Sequence, residues 1–224
     1  MTNSKSILAI ATNHSELPNG HKTGLWLEEY AVPADIIKKK GYRLNLASLR
    51  GGRIPIDPRS MPESKDDPEL RKALNELSET LPLNRVNTSH YDALFFPGGH
   101  GAMFDLADSR LVGDIIASFI DSGRIVAALC HGPAALLSAC HSDGRPIVSG
   151  RKLTAFSNDE EVAAQLDQIM PFLLQTKLQE LGANYQCLPK WSDNVVVDGN
   201  LITGQNPYSS ASTALALIEV LSLA

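Results

Sequence analysis

The chain has 224 residues, 43% of them hydrophobic and 20% charged, an ordinary globular composition long enough for one large domain or two small ones, which excludes disordered and fibrous chains. Its 20 Lys+Arg against 25 Asp+Glu give a formal charge of −5, with no basic run beyond Lys38-Lys39-Lys40, so nucleic acid is not an expected partner. The three cysteines form no C-x-x-C pair and follow no secretory signal, which excludes a disulfide framework and points to a reducing cytoplasm, and the apolar stretch near the start is too short for a membrane span.

In chain order, short apolar runs alternate with segments of helical period, the signature of a parallel sheet covered by helices. A strand is expected over 6–12, a helix over 24–40 and a strand over 42–48. Residues 49–66, with Gly51-Gly52, three prolines and mixed charge, read as a surface loop or small cap element before a helix over 67–79. The strands expected at 91–96 and 124–129 are apolar at nearly every position, as in strands buried on both faces. Between them a helix over 109–122 places Leu111, Ile115, Ile116, Phe119 and Ile120 on one stripe. A helix over 133–140, a strand over 152–156 and a helix over 159–181 broken near Pro171 follow. Strands over 184–187, 194–197 and 201–203 come next, with Asp198-Gly199-Asn200 as a hairpin turn, and a last helix spans 208–221. No linker divides the chain. It reads as one α/β domain over 1–224, an open, doubly wound, mostly parallel sheet flanked by helices.

The segment from Arg124 to Leu137 passes from a buried strand into a helix with only Cys130 and His131 between them. That is the layout of a nucleophile elbow, a sharp turn that lifts one reactive side chain above the carboxyl ends of the strands. Gly132 keeps the turn uncrowded and Pro133 suits a first helical position. A helix N-terminus at Cys130 is expected to favour thiolate; a buried structural cysteine is the competing reading. A second pair, Cys140-His141, closes that helix instead of opening it, so Cys140 and Cys187 are expected to be packed small hydrophobes. After the strand at 91–96, Pro97-Gly98-Gly99-His100-Gly101 is not a dinucleotide fingerprint, because Phe104 stands where the third glycine belongs. Such a loop beside the elbow is suited to aim backbone N–H groups at an oxyanion, with Gly99 and the His131 amide as donors and Gly99, His100 and Gly101 as the oxyanion or substrate-binding set.

Five segments stand together in order: Thr23-Gly24-Leu-Trp-Leu-Glu28-Glu29-Tyr-Ala-Val-Pro33, Phe-Phe-Pro-Gly-Gly-His-Gly, Ala-Leu-Cys130-His131-Gly-Pro-Ala, Thr154-Ala-Phe-Ser-Asn-Asp-Glu-Glu161 and Leu201-Ile-Thr-Gly-Gln-Asn-Pro207. This ensemble resembles the PfpI-type superfamily, related to class I glutamine amidotransferases, and within it the chaperone-like glutathione-independent glyoxalases (glyoxalase III). The resemblance implies a flavodoxin-like fold, Cys130 as nucleophile with His131 adjacent, and an acidic residue of the first helix against the thiol. Matching the segment gives that place to Glu29 rather than Glu28, and Glu29 shares a helix face with Leu25. The resemblance also implies an acidic partner for the histidine, either Glu161 or Asp159, although Asn158-x-x-Glu161 is equally a capping box.

By that resemblance the activity is a cofactor-independent conversion of methylglyoxal-type 2-oxoaldehydes to 2-hydroxy acids through a cysteine hemithioacetal, with no metal. The partners would be a small aldehyde, glycated or misfolded proteins and a second copy of the chain in a homodimer, with neither nucleic acid nor membrane. Two alternatives remain: a cysteine hydrolase acting as deglycase or peptidase, and a stress chaperone or oxidation sensor without turnover. A glutamine amidotransferase proper is disfavoured, since residues 203–224 contain no histidine.

Overall fold

The structure is a computed structural model that describes residues 5–63 and 68–223. Its strands and α-helices are, in chain order, β1 Ser6–Ala11, α1 Leu27–Lys39, β2 Arg43–Ser48, α2 Pro68–Glu76, β3 Leu81–Pro82, β4 Ala93–Phe96, α3 Ala102–Asp105, α4 Arg110–Asp121, β5 Ile125–Leu129, β6 Lys152–Leu153, α5 Asn158–Ala163, α6 Leu174–Glu180, β7 Asn184–Tyr185, β8 Val195–Asp198, β9 Leu201–Gly204 and α7 Ser210–Leu223. The main sheet runs β3-β2-β1-β4-β5-β9-β8 and is parallel except for β8, which pairs antiparallel with β9. Gly199, at φ 61°, turns that hairpin where Asp198-Gly199-Asn200 was expected to do so. A separate small sheet pairs β6 with β7 in parallel.

The two-residue period of the strands serves two cores. Ile7, Ala9 and Ala11 of β1, Phe95 of β4 and Ala127 and Leu129 of β5 meet Leu27, Tyr30 and Ile37 of α1 and Leu217 of α7. Leu8, Ile10, Phe96, Val126 and Ala128 face the other way, onto Val112, Ile116 and Phe119 of α4. Each fully buried Leu, Ile or Phe contributes about 1.5–3 kcal/mol, so both faces of the sheet hold helices tightly. In this order of strands the connections change direction between β1 and β4, and ligands of open α/β sheets bind outside the carboxyl ends of the strands at such a point. The turns after β1, β4 and β5 therefore define where a site can form.

Several sequence expectations are corrected. The segment expected as an α-helix over 133–140 is a tighter 3₁₀ helix, Gly132–Ser138. The segment expected as one broken helix over 159–181 is two short ones, α5 and α6, joined by turns. The strand expected over 152–156 pairs for only two residues and stands outside the main sheet. On α4, Leu111 is 36% exposed, and the buried stripe is Val112, Gly113, Ile116, Phe119 and Ile120 instead. The 49–66 region is not only surface, since Ile54 and Asp57 are buried in it. Asp67, the expected start of the second helix, lies outside the described residues.

Candidate active site

The nucleophile elbow is present. Cys130 follows β5 at φ 59°, a left-handed conformation that L-residues with a Cβ seldom adopt and that persists where the surroundings over-determine it. Two backbone bonds hold it: Cys130 N–H donates to the Gly204 carbonyl of β9 at 2.9 Å, and Phe156 N–H donates to the Cys130 carbonyl at 2.9 Å. Gly132 is needed next to it, because a Cβ there would stand 2.1 Å from the Phe96 carbonyl oxygen. Sγ is left at the mouth of the turn with the residue 3% exposed.

Five further side chains gather around the elbow. His131 is fully buried, with Nδ1 3.3 Å from Cys130 Sγ and Nε2 2.8 Å from Glu161 Oε2. The other oxygen of Glu161, Oε1, lies 2.9 Å from His100 Nε2, so one carboxylate bridges two imidazoles whose ring centres are 4.0 Å apart. Phe156 packs on His131 with centroids 4.4 Å apart. Glu29, on the first turn of α1, is fully buried; Oε2 accepts the Gly98 N–H at 2.8 Å and the carboxyl is coupled to the Cys130 thiol. The start of α1 is docked rather than side-chain capped, with Trp26 N–H donating to the Gly98 carbonyl and Leu27 N–H to Ser60 Oγ. Glu28 is exposed, lining the groove along α1 instead, and Asp159 is exposed as well. The geometry thus brings Cys130, His131, Glu29 and Glu161 together and leaves both competing carboxylates out.

The capping box of α5 explains how Glu161 is freed. It is formed one residue earlier than Asn158-x-x-Glu161, by Ser157 and Glu160. Glu160, a residue the sequence reading did not single out, is fully buried and gathers five donors: Ser157 N–H and Oγ–H on Oε2, and Trp191 N–H, Gln205 Nε2 and Asn206 Nδ2 on Oε1. It ties α5 to the turn after β9 and to Trp191, whose ring meets Phe156 edge-on. A second network missed from sequence comes from the supposed loop. Asp57, fully buried, accepts from Thr23 Oγ1 and from a two-pronged Arg59, and Arg59 Nη2 reaches 3.3 Å from His100 Nδ1. The signal available was the Asp57-x-Arg59 spacing, but its target His100 stands 41 residues on.

The glycine loop is partly as expected. Gly99 adopts φ 101°, and a Cβ on it would meet the Gly24 carbonyl at 2.3 Å and the Trp26 nitrogen at 2.4 Å. Gly98 is the glycine against the site, since a Cβ there would stand 2.6 Å from both Glu29 Oε2 and His131 N. Gly101 is corrected: its N–H donates to the Gly24 carbonyl, and it packs on Thr12 and His14, at the entry to α3. His100 is corrected too, because both ring nitrogens have protein partners and neither is left for a substrate oxygen.

Electrostatics change one further expectation. Burial pushes the Cys130 thiol up, and the Glu29 carboxyl adds to it, against a downward pull from the His131 backbone N–H. Burial likewise raises Glu29, to about 8, with the neighbouring Cys130 thiol and the Gly98 N–H opposing. The two groups cannot both be charged in so dry a place, and at neutral pH the carboxyl and the thiol are both held toward their protonated forms. Ionisation at Cys130 is therefore opposed by burial and then by Glu29 and not, as expected, favoured by the N-terminus of an α-helix; a seven-residue 3₁₀ turn follows it. Burial pushes His100 down to about 4, so the ring is neutral at neutral pH. Burial also acts upward on Glu161, but His131 and His100 outweigh it and hold the carboxyl well below the usual range.

Cys140 and Cys187 are exposed rather than packed, and His141 Nδ1 lies 2.7 Å from Asp121 Oδ1. His100 Nε2, His131 Nε2 and a Glu161 oxygen lie within 4.8 Å of one another, the donor set that a metal ion would require, but here they are engaged with each other. A groove of about 840 Å³ runs along α1, lined by Leu27, Ala31, Met61 and Leu70, and meets this constellation at Trp26 and Arg59 without including Cys130. Among the described residues no helix is long and apolar enough to cross a membrane.

The arrangement has known relatives. The chain is 28% identical over 233 residues to the glutathione-independent glyoxalase HSP31 of Saccharomyces cerevisiae, covering 97% of this chain and 98% of that one. The solved structure of the 24 kDa Rapid Encystment Protein of Francisella tularensis superposes with a TM-score of 0.91 at 34% identity over 97% of this chain and 99% of that one. That of glyoxalase III from Candida albicans does so with a TM-score of 0.85 at 28% identity over 97% of each chain. The DJ-1/PfpI family model matches residues 23–220, and the chain belongs to the DJ-1/PfpI family.

Proposed function

We propose that the protein is a glutathione-independent glyoxalase that turns small 2-oxoaldehydes, methylglyoxal among them, into 2-hydroxy acids with no cofactor. The observation that carries this reading is a buried carboxyl, Glu29, raised to about 8 beside a cysteine whose Sγ lies 3.3 Å from His131 Nδ1. Relatives aligned over nearly their whole length are named for that activity. In the first step Cys130 Sγ adds to the aldehyde carbon, its proton passing to His131 Nδ1 while Glu29 gives its own proton to the aldehyde oxygen. The product is a hemithioacetal, and Glu29 is left as a carboxylate. Glu29 then takes the C–H proton of the former aldehyde carbon while His131 passes its proton to the ketone oxygen, giving an enediol; Glu29 next protonates the neighbouring carbon as the hydroxyl on the sulfur-bearing carbon gives its proton to His131, which yields a thioester. Water cleaves the thioester to the 2-hydroxy acid and restores the thiol. Glu161 orients His131 through Nε2, and the Gly99 and His131 amides would receive the oxyanion.

Purified protein with methylglyoxal and no glutathione should form lactate, and Cys130→Ala should form none. Absence of lactate from the wild-type chain, or turnover surviving Cys130→Ala, would overturn the reading. The complete Cys130–His131–Glu161 chain also suits hydrolysis of amide or glycation adducts, so lactate formation without cleavage of such adducts distinguishes the two. We take residues 1–224 as one domain, supported by the packing of α7 on α1 and β5.

A further inference from the structure

We propose that Arg59 is a positioning residue of the active site, which fixes the tautomer of His100 and, through Glu161, the proton on His131. This rests on the glyoxalase reading for its kinetic part only. A guanidinium has donors and no acceptor. Arg59 Nη2, 3.3 Å from His100 Nδ1, therefore requires that nitrogen to accept. The neutral ring must then carry its proton on Nε2, from which it donates to Glu161 Oε1 at 2.9 Å. Glu161 stays an acceptor at both oxygens, and its Oε2 takes the Nε2–H of His131 at 2.8 Å. His131 Nδ1 is thereby left bare, 3.3 Å from Cys130 Sγ, where a base must be. Arg59 is itself held rigid: Nε and Nη2 form a fork on the buried Asp57 at 2.9 and 2.6 Å, Asp57 also accepts from Thr23, and the guanidinium lies 5.9 Å over the Trp26 ring.

Without that donor nothing on the Nδ1 side chooses between the tautomers of His100. The Nδ1–H form would turn a lone pair at Glu161, and the carboxylate would lose one of its two donors. Because Arg59 acts on the thiol only through His100, Glu161 and His131, its loss should act on turnover rather than on binding.

The test uses the full-length protein. Nitrogen-15 spectra of the histidine rings should show His100 as the Nε2–H tautomer from pH 6 to 8 in the wild type and as a mixture in Arg59→Met. Lactate formation by Arg59→Met should show kcat down about 10-fold, the scale of outer-shell losses, with KM within about 2-fold. Arg59→Lys, which keeps a donor, should restore much of both. Should Arg59→Met fail to fold with Asp57 left unpaired, Asp57→Asn/Arg59→Met removes the orphaned charge and carries the same measurements. An unchanged His100 tautomer in the variant, whether or not kcat falls, overturns the proposal, as does an Nδ1–H form in the wild type. If the spectra behave as expected but no lactate is formed by wild-type protein, the glyoxalase reading fails and the tautomer assignment stands.

Discussion

Replacing Glu160 by Gln tests the site from its least conspicuous member. The Glu160 carboxylate receives three donors on Oε1 and two on Oε2. A glutamine has one acceptor oxygen and one NH2, so whichever way the amide turns, its NH2 faces at least two donors. Each buried donor left without an acceptor costs about 1–3 kcal/mol. Two of them amount to about 4 kcal/mol, and at about 2–4 °C per kcal/mol for a chain of this size the midpoint of thermal unfolding should fall by roughly 8–16 °C. The residue beside it, Glu161, should lose its fixed place, so lactate formation should fall in the fraction still folded. Differential scanning calorimetry of wild-type and Glu160→Gln protein at one pH, with turnover assayed well below the lower midpoint, measures both. A midpoint within about 2 °C of wild type would show that the five contacts are not holding α5 and the turn after β9, and the account of how Glu161 is positioned would fail.

Other outcomes follow from the same geometry. Glu29 has a folded value of about 8 against an ordinary 4.5, so the folded state holds an extra proton between them and loses stability as pH rises through that window. Glu29→Gln removes the effect: relative to wild type its unfolding midpoint should rise between pH 5.5 and 8 by an amount equivalent to about 3 kcal/mol, while lactate formation is lost; a pH-independent difference would refute this. Glu161→Gln should reduce kcat/KM by about 100-fold while the thiol remains alkylatable, as expected when a histidine loses the group that orients it. Because Cys140 and Cys187 are exposed and make none of the contacts described around Cys130, Cys140→Ser/Cys187→Ser should keep turnover within about 2-fold of wild type in the lactate assay.

What could be read from sequence was what local order determines. A buried strand ending in Cys130-His131-Gly132-Pro133 announces an elbow because the turn is made by those residues themselves. Glu29 was legible through the family segment from Thr23 to Pro33, and the helix face it shares with Leu25 within one turn agreed with that match. Glu161 was ambiguous because Asn158-x-x-Glu161 and Ser157-x-x-Glu160 both satisfy the capping pattern, and only the buried donors from Trp191, Gln205 and Asn206 decide which glutamate the cap takes. Arg59 was hidden for the same reason, since its partner lies across the switch point of the sheet. The two-residue β3 carries too little pattern to be seen, and Cys140 and Cys187 were misread because a small apolar side chain next to a turn gives no sign of which way it faces.

The bond from Cys130 N–H to the Gly204 carbonyl sets a timetable for biogenesis. Strand β9 begins at Leu201, 72 residues after β5 ends at Leu129, and must still slide in between β5 and β8. Until it does, the elbow lacks one of the two backbone bonds that hold its left-handed turn, and Glu160 lacks Gln205 and Asn206. A nascent chain on the ribosome that has completed β1, β4 and β5 therefore carries the thiol without the machinery to use it. Catalytic competence should appear late and all at once, with the closing of a long-range pairing that ranks among the slower steps of folding.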